Sequence, residues 1–464
     1  MADAFRTRAA VPRERFEFEF LPDTDQAFEN ALAKARSGER LTVADGIELL
    51  TTGTDVDGID HERMAAVLRA ADERRREDVG DEVTFVANLN NNVTTACDTG
   101  CLFCNFRDSA HTFESDHDGQ TRGFTKSPTE SRQIVADAVE RGIYEVTSVS
   151  GLHPALVLND EHREMLADEA PDHVYKPPEA YDTDPGSYTE QIRSMSVEDV
   201  HVHSMTPEEA DHAARFTEWD FETVYDTLRS AGLDSVPGTA AEILVDEVRD
   251  VICPGKIDTD TWIEAMEGAA AAGLPMTGTI MYGHVENEAH RVLHLDKIRE
   301  LQDRTGAITE FVPLSFVHEN TPLSDRGWVD GGATEAEDKL MIAVSRLYLD
   351  NVEHIQSSWV KFGDELGLEM LEAGADDFMG TILSEEITKR AGGDHGEFRS
   401  VAEYVDLIDS IDRIPVERST DYETRRRIDP ALDDLGPTLG PKADGTPLVA
   451  AEPDRPQESV VADD

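Results

Sequence analysis

The chain has 464 residues, 97 of them acidic and 42 basic, for a formal charge of −55. That balance argues against nucleic acid and anionic membranes as partners, and no run of about 18 apolar residues offers a membrane span. The N-terminal MADAFRTRAAVPRERFEFEF lacks the apolar stretch of a secretory signal, so the expected location is the cytoplasm. So much acid also fits a disordered chain. The periodic apolar segments instead favour a folded domain with a salt-adapted acidic surface, its self-repulsion screened where the Debye length falls to about 3 Å in molar salt.

Residues 1–30 are charged and show little apolar period. Segments 30–37 and 61–76 read as helices and make 1–75 a helical extension. Strand-like and helix-like stretches then alternate. Strands are expected at 83–89, 145–150, 200–204, 278–282 and 308–314, with weak ones at 234–237 and 351–359. Helices are expected at 130–140, 207–216, 221–231, 239–251, 260–272 and 289–305. Repeated βα units predict an α/β fold whose parallel sheet closes, fully or partly, into a (β/α) barrel. Its core is expected over 76–325, with an α/β extension over 326–429 that completes it. Segment 158–186 breaks the rhythm with four prolines and reads as an inserted surface loop. The Pro/Gly/Asp-rich stretch 430–464 reads as a disordered acidic tail.

Four cysteines are present, and Cys97, Cys101 and Cys104 lie in one C-x3-C-x2-C run, ACDTGCLFC. A disulfide framework would spread them out. Three thiolates on one short loop can ligate three corners of a [4Fe-4S] cluster and leave the fourth iron open. Gly100 gives the loop a residue free to take positive φ, and Phe103 can shield the cluster from water. A zinc site is the other reading, since His111 or Cys253 could complete four ligands, but no second C-x2-C pair is present. The run follows the first strand of the series, where the βα loops of a barrel carry active-site residues.

The wider pattern resembles the radical S-adenosylmethionine (SAM) superfamily. Within it, 75–393 is similar to the branch of FO synthase and menaquinone-pathway enzymes, and most similar to the CofH family, the second FO synthase subunit. The stretches that carry this are CLFCNFR, SGLHP, HVHSMTPEE, SVPGTAAEILVDEVRDVICPGKI, TIMYGHVE, TEFVPLSFVHENTPL, SSWVKFG and AGADDFMGTI. The resemblance implies a radical SAM barrel and a transferase acting on L-tyrosine and 5-amino-6-(D-ribitylamino)uracil. The reduced cluster would split SAM into methionine and a 5′-deoxyadenosyl radical. That radical would take hydrogen from the tyrosine amino group, the Cα–Cβ bond would break with release of an imine fragment, and the 4-hydroxybenzyl unit would join C5 of the uracil. Implied partners are a second radical SAM subunit that closes the deazaflavin ring and an electron donor such as ferredoxin or flavodoxin. The alternatives are a menaquinone-pathway enzyme of the aminofutalosine synthase type and a non-catalytic iron–sulfur electron carrier.

The resemblance also selects site residues. Ser150 stands where the family usually has the first of two glycines. With Gly151 it would meet the SAM amino group, and His153 lies beside them. Thr239 and Glu242, after Gly238, would open a helix whose amides take a carboxylate. Tyr282, His284 and Glu286 end a strand, where a carboxylate can grip ribose or ribityl hydroxyls. Further candidates are the His201/His203 pair on one strand face, Glu310, His318 and Asn320 near strand ends, and Lys256 and Arg107, which can neutralise carboxylates or sit in surface ion pairs.

Overall fold

The computed structural model describes residues 25–53, 60–107, 123–170, 175–197, 200–329, 331–383, 399–422 and 424–430. His111 and nearly all of the expected tail lie outside them. Helices α1 (Asp25–Ser37), α2 (Val43–Leu50) and α3 (His61–Asp78) precede the first strand. Side chains start two of them: Thr42 and Asp45 form a capping box for α2, and Asp60 accepts from the amides of Glu62 and Arg63 at the start of α3.

The expected strand 83–89 is two segments, β1 (Glu82–Val86) and β2 (Asn88–Asn90). The break has a cause. Ala87 N donates to the Tyr144 hydroxyl at 3.1 Å instead of joining a ladder, and that hydroxyl donates to Arg418 O at 2.8 Å. A late strand enters beside β1 at this point.

From β2 the ring runs to β3 (Glu145–Ser148) and β4 (His201–Ser204), each pairing in parallel. Bridges His203–Ser235 and Val236–Met276 carry it through the weak strand at 234–237 into β5 (Met276–Tyr282). β6 (Ile308–Ser315) and the two-residue β7 (His354–Ile355) follow. A Gln356–Asp377 bridge leads to β8 (Asp377–Gly380), which pairs with β1 in the registers Thr84–Asp377 and Val86–Gly380. The result is a closed parallel (β/α) barrel. The ring depends on β7 and β8, which lie beyond residue 325.

The outer layer contains α4 (Pro128–Val139), α5 (Asp160–Glu169), α6 (Tyr188–Met195), α7 (Pro207–Ala214), α8 (Phe221–Ala231), α9 (Asp246–Ile252), α10 (Thr259–Ala271), α11 (Glu288–Thr305), α12 (Pro322–Asp325), α13 (Glu335–Tyr348), α14 (Trp359–Glu372, broken at Gly363) and α15 (Val401–Asp409). Three expectations need correction. Segment 158–186 is not simply a surface loop: it holds α5, capped by Asn159, and buries Leu158, Leu166 and Tyr175. The helix expected at 239–251 begins only at Asp246, because Ala240 and Glu242 sit at positive φ. The strand expected at 351–359 shrinks to His354–Ile355, and Trp359 opens α14.

The floor of the barrel is closed by a C-terminal hairpin. β9 (Ile414–Arg418) pairs in parallel with β1, and β10 (Thr424–Arg427) returns antiparallel. From this hairpin Arg418 donates to Asp377, Thr420 to Glu145 and Tyr422 to Glu310. The Tyr422 ring stacks on His354 at 3.8 Å. Glu310 therefore belongs to the floor, near the start of β6, and not to the strand ends where chemistry was expected.

Candidate active site

The cysteine loop leaves the C-terminal end of β2 and is held by backbone bonds on three sides. Gly151 N donates to Thr94 O at 2.8 Å, Leu102 N to Ile252 O at 2.7 Å, and Leu323 N to Leu102 O at 3.0 Å. Two glycines set how closely its neighbours approach. A Cβ on Gly151 would lie 2.4 Å from Ala96 O, and one on Gly255 would lie 2.4 Å from Thr99 O. Gly100 takes φ 78 at the turn between Cys97 and Cys101.

All four cysteines are free thiols. Burial pushes the Cys101 thiol well above its ordinary pKa, with Lys256 opposing, and pushes Cys104 up against the amides of Arg107 and Phe106. Cys253 is buried in the turn packed on this loop, and its thiol is raised to about 11. Among the described residues, no three His, Cys, Asp or Glu side chains are gathered into an ion-holding group. The fit to a cluster lies in the donor set: three free thiols on one pinned loop at the catalytic end of a barrel.

Ser150 and Gly151 sit against that loop. The Ser150 hydroxyl accepts from Val93 N at 2.7 Å, so the serine ties the end of β3 to the segment leading into the cysteines. Its own amide donates to Glu209 Oε1 at 3.3 Å. Glu209 also accepts from the Thr206 amide and hydroxyl at 2.9 and 2.8 Å. Burial raises its carboxyl from 4.5 to about 7, against those hydrogen bonds. Beneath lies a small cavity lined by Ser148, Ser150, Tyr188, Gln191, Ser204 and Glu209.

The other sequence candidates divide. His153 is buried, its Nδ1 accepts from Ala155 N at 3.1 Å, and burial, then Arg215, lowers its pKa to about 4; it holds its own turn as a neutral ring. Tyr282 is fully buried and donates to Asp338 Oδ1 at 2.7 Å. Glu286 accepts from Gly283 N at 2.6 Å, His284 N at 2.8 Å and Arg291 Nε at 2.8 Å. Burial disfavours its charge, but His284 and Arg291 outweigh that and hold its pKa well below the usual carboxylate range. The geometry of Tyr282, His284 and Glu286 is that of a locked turn after β5, with the Glu286 oxygens committed to protein donors. His201 Nε2 and His203 Nδ1 each meet Ser235 Oγ at 2.7 Å.

Thr239 lies in a tight loop rather than at a helix start. Gly238 there permits close contact: a Cβ would fall 2.1 Å from Thr277 O. Arg249, overlooked in the sequence, clamps this loop through the carbonyls of Ala240, Ala241 and Ile257. Glu242 pairs with Lys256 at 2.6 Å, both nearly buried; Lys256 is thus an internal cation and not a surface one. Met205, Ala240, Glu242 and Met379 are non-glycine residues at positive φ, and all lie at or after the C-terminal ends of barrel strands. Such strain persists where surrounding contacts enforce it and gathers at functional ends.

Comparison with known proteins fits this geometry. Residues 91–298 match the Radical SAM superfamily, and 305–430 match the CofH/MqnC C-terminal region. A methylornithine synthase crystal structure shares the fold, with TM-score 0.57 and 16% identity over 83% of this chain and 97% of that one. Barrel, cysteine loop and superfamily match together define a radical SAM protein. The 5-amino-6-(D-ribitylamino)uracil–L-tyrosine 4-hydroxyphenyl transferase of Haloarcula marismortui is 71% identical over 440 residues, 95% of this chain and 98% of that protein. The FO synthase of Mycobacterium leprae is 37% identical over 365 residues, 78% of this chain but 38% of that longer protein. The chain belongs to the CofH family of radical SAM transferases. Membership implies a [4Fe-4S] cluster and SAM. Among the described residues no helix is long and apolar enough to cross a membrane.

Proposed function

We propose that this chain joins the 4-hydroxybenzyl group of L-tyrosine to 5-amino-6-(D-ribitylamino)uracil, a step toward the deazaflavin FO, the precursor of coenzyme F(420). The observation that carries the reading is the pinned three-thiol loop at the catalytic end of a closed barrel, in a chain 71% identical to a transferase of that name. Cys97, Cys101 and Cys104 would hold the cluster. When bound, the cluster and SAM would supply one-electron radical chemistry.

The protein's part is to bind, orient and exclude water. The contacts of Leu102 with Ile252 and Leu323 fix the cysteine loop. The amides of Ser150 and Gly151 are already bonded to Glu209 and Thr94, so their carbonyls are what would accept from the amino group of SAM. The loop of Thr239 and Glu242, clamped by Arg249, reaches the cysteine loop through Lys256. His201 and His203, oriented by Ser235, lie on β4 beside Glu145 of the floor and close the barrel beneath the site. The closed floor keeps water from entering behind them. The enzyme works in the reducing cytoplasm, with a ferredoxin or flavodoxin as electron donor and a second radical SAM subunit as the next catalyst.

The test is product analysis after anaerobic reconstitution. Supplied with SAM, reductant, tyrosine and ribitylaminouracil, the enzyme should form the hydroxybenzyl adduct with methionine and 5′-deoxyadenosine. Consumption of an enolpyruvyl benzoate, with tyrosine untouched, would overturn the reading in favour of an aminofutalosine synthase.

A further inference from the structure

Three segments distant in sequence meet on the Cys101 side of the cysteine loop. The first is the turn Cys253–Lys256, closed by Lys256 N donating to Cys253 O at 3.0 Å and packed through Gly255 on Thr99. The second is the strained loop holding Glu242, at φ 45. The third is the first turn of α7, where Glu208 Oε2 accepts from Ile257 N at 3.3 Å. Lys256 Nζ lies 2.6 Å from Glu242 Oε1 and 5.7 Å from the centre of the Phe103 ring, the residue before Cys104. Lys256 has 10% of its side chain exposed and Glu242 9%.

A lysine and a glutamate taken this far out of water are costly and weak as a stabilising device. Backbone strain at Glu242 adds to the cost. The position of the pair against the cysteine loop gives it a second use. We propose that Lys256 is a positioning charge for the cluster, set by Glu242, that raises the cluster's reduction potential. The inference rests on the cluster reading above. A cation held near an iron–sulfur cluster favours the reduced form, which carries one more negative charge. The carboxylate of Glu242 fixes the ammonium in place and subtracts part of its field. The pairing with Glu242 at 2.6 Å favours the charged lysine against the cost of its burial.

The experiment is a redox titration of the reconstituted full-length protein, without SAM, followed by electron paramagnetic resonance of the reduced cluster. The variants are Lys256→Met, Lys256→Arg and Glu242→Gln. Lys256→Met should lower the potential by an amount on the order of a tenfold change in the reduction equilibrium, about 59 mV for one electron. Lys256→Arg should stay near wild type, and Glu242→Gln should shift the potential upward. A merely structural pair would not move the potential in opposite directions when its two members are removed. Unchanged potentials in Lys256→Met and Glu242→Gln, with iron and sulfide content intact, would overturn the proposal. If Lys256→Met fails to load a cluster, Glu242→Gln still decides, since an upward shift supports the proposal and no shift or a downward one overturns it. Iron and sulfide in the wild-type protein test the cluster reading separately: a wild-type chain that binds none fails that reading, whatever the variants do.

Discussion

Individual side chains do unlike work at the top of the barrel, and substitution separates them. Cys104→Ala should abolish the cluster, whereas Cys253→Ala, whose thiol sits in the adjoining turn, should retain it; iron content and the visible absorbance of the reconstituted proteins decide. Arg291 is fully buried between Glu286 and Glu337, at 2.8 and 3.1 Å. Removing one partner from a buried charged group costs about 3–5 kcal/mol. Arg291→Met should therefore lower denaturant-unfolding stability by that order. Glu209 offers a pH signature. Its folded carboxyl titrates near 7 against 4.5 ordinarily, chiefly because it is buried. Folding is then favoured by the bound proton: the contribution is fully present below about pH 4.5 and is lost as pH rises through about 7. Glu209→Gln should remove it, so the stability gap between wild type and variant should change by up to about 3 kcal/mol over that window. A gap constant from pH 4.5 to 7 would place the carboxyl in water.

Elements show how the loop is held and what a sequence can disclose. Gly255→Ala would set a Cβ 2.4 Å from Thr99 O, backbone that cannot swing aside. The expected result is a large loss of cluster occupancy with little change in far-ultraviolet circular dichroism, because the turn and the cysteine loop must separate while the barrel stays closed. Helices with clear start and stop signals were legible: α8, α10 and α11 fall where expected, starting after Asp220, Asp258 and Asn287, with Gly232 and Gly306 ending α8 and α11. α13 was missed although Thr334 and Glu337 form a capping box at its start; the burial of Glu337, Asp338 and Arg346 along with its apolar residues is tertiary and not disclosed by the local sequence. α5 gave little apolar signal, being polar nearly throughout, with Leu166 the one buried side chain among its described residues. At the site, the spacing of the cysteines carries its own chemistry, whereas Ser150 and Gly151 were chosen only by resemblance to the family. The Glu242–Lys256 pair could not be, since it joins two loops whose approach depends on Arg249 and on positive φ at Ala240 and Glu242. Arg418, Thr420 and Tyr422 reach Asp377, Glu145 and Glu310 only through the closed ring, so nothing local marks them as a plug.

At the scale of the whole molecule two properties dominate. The first is charge. With a formal −55 on one chain, self-repulsion is strongest when the Debye length is long, about 30 Å at 0.01 M salt and about 3 Å at 1 M. Thermal unfolding across a KCl series should show the melting temperature rising toward molar salt, with cluster absorbance lost before the helical signal at each concentration. A melting temperature that is flat or falls with added KCl would refute the salt-adapted surface and leave the enzyme reading untouched. The second property is the seam at the floor. β1, among the first elements of the barrel, has one flank filled by β9, among the last, in the registers Glu82–Ile414 and Thr84–Val416. A chain still on the ribosome therefore carries an open strand edge, and Glu145, Glu310 and Asp377 lack their hairpin donors, until residues near Tyr422 have emerged. Contacts this distant along the chain form late, and exposed edges invite wrong partners. The cell must therefore guard this polypeptide for nearly the whole of its synthesis, and any truncation upstream of β9 should go to chaperones or proteases rather than to the cluster-loading machinery.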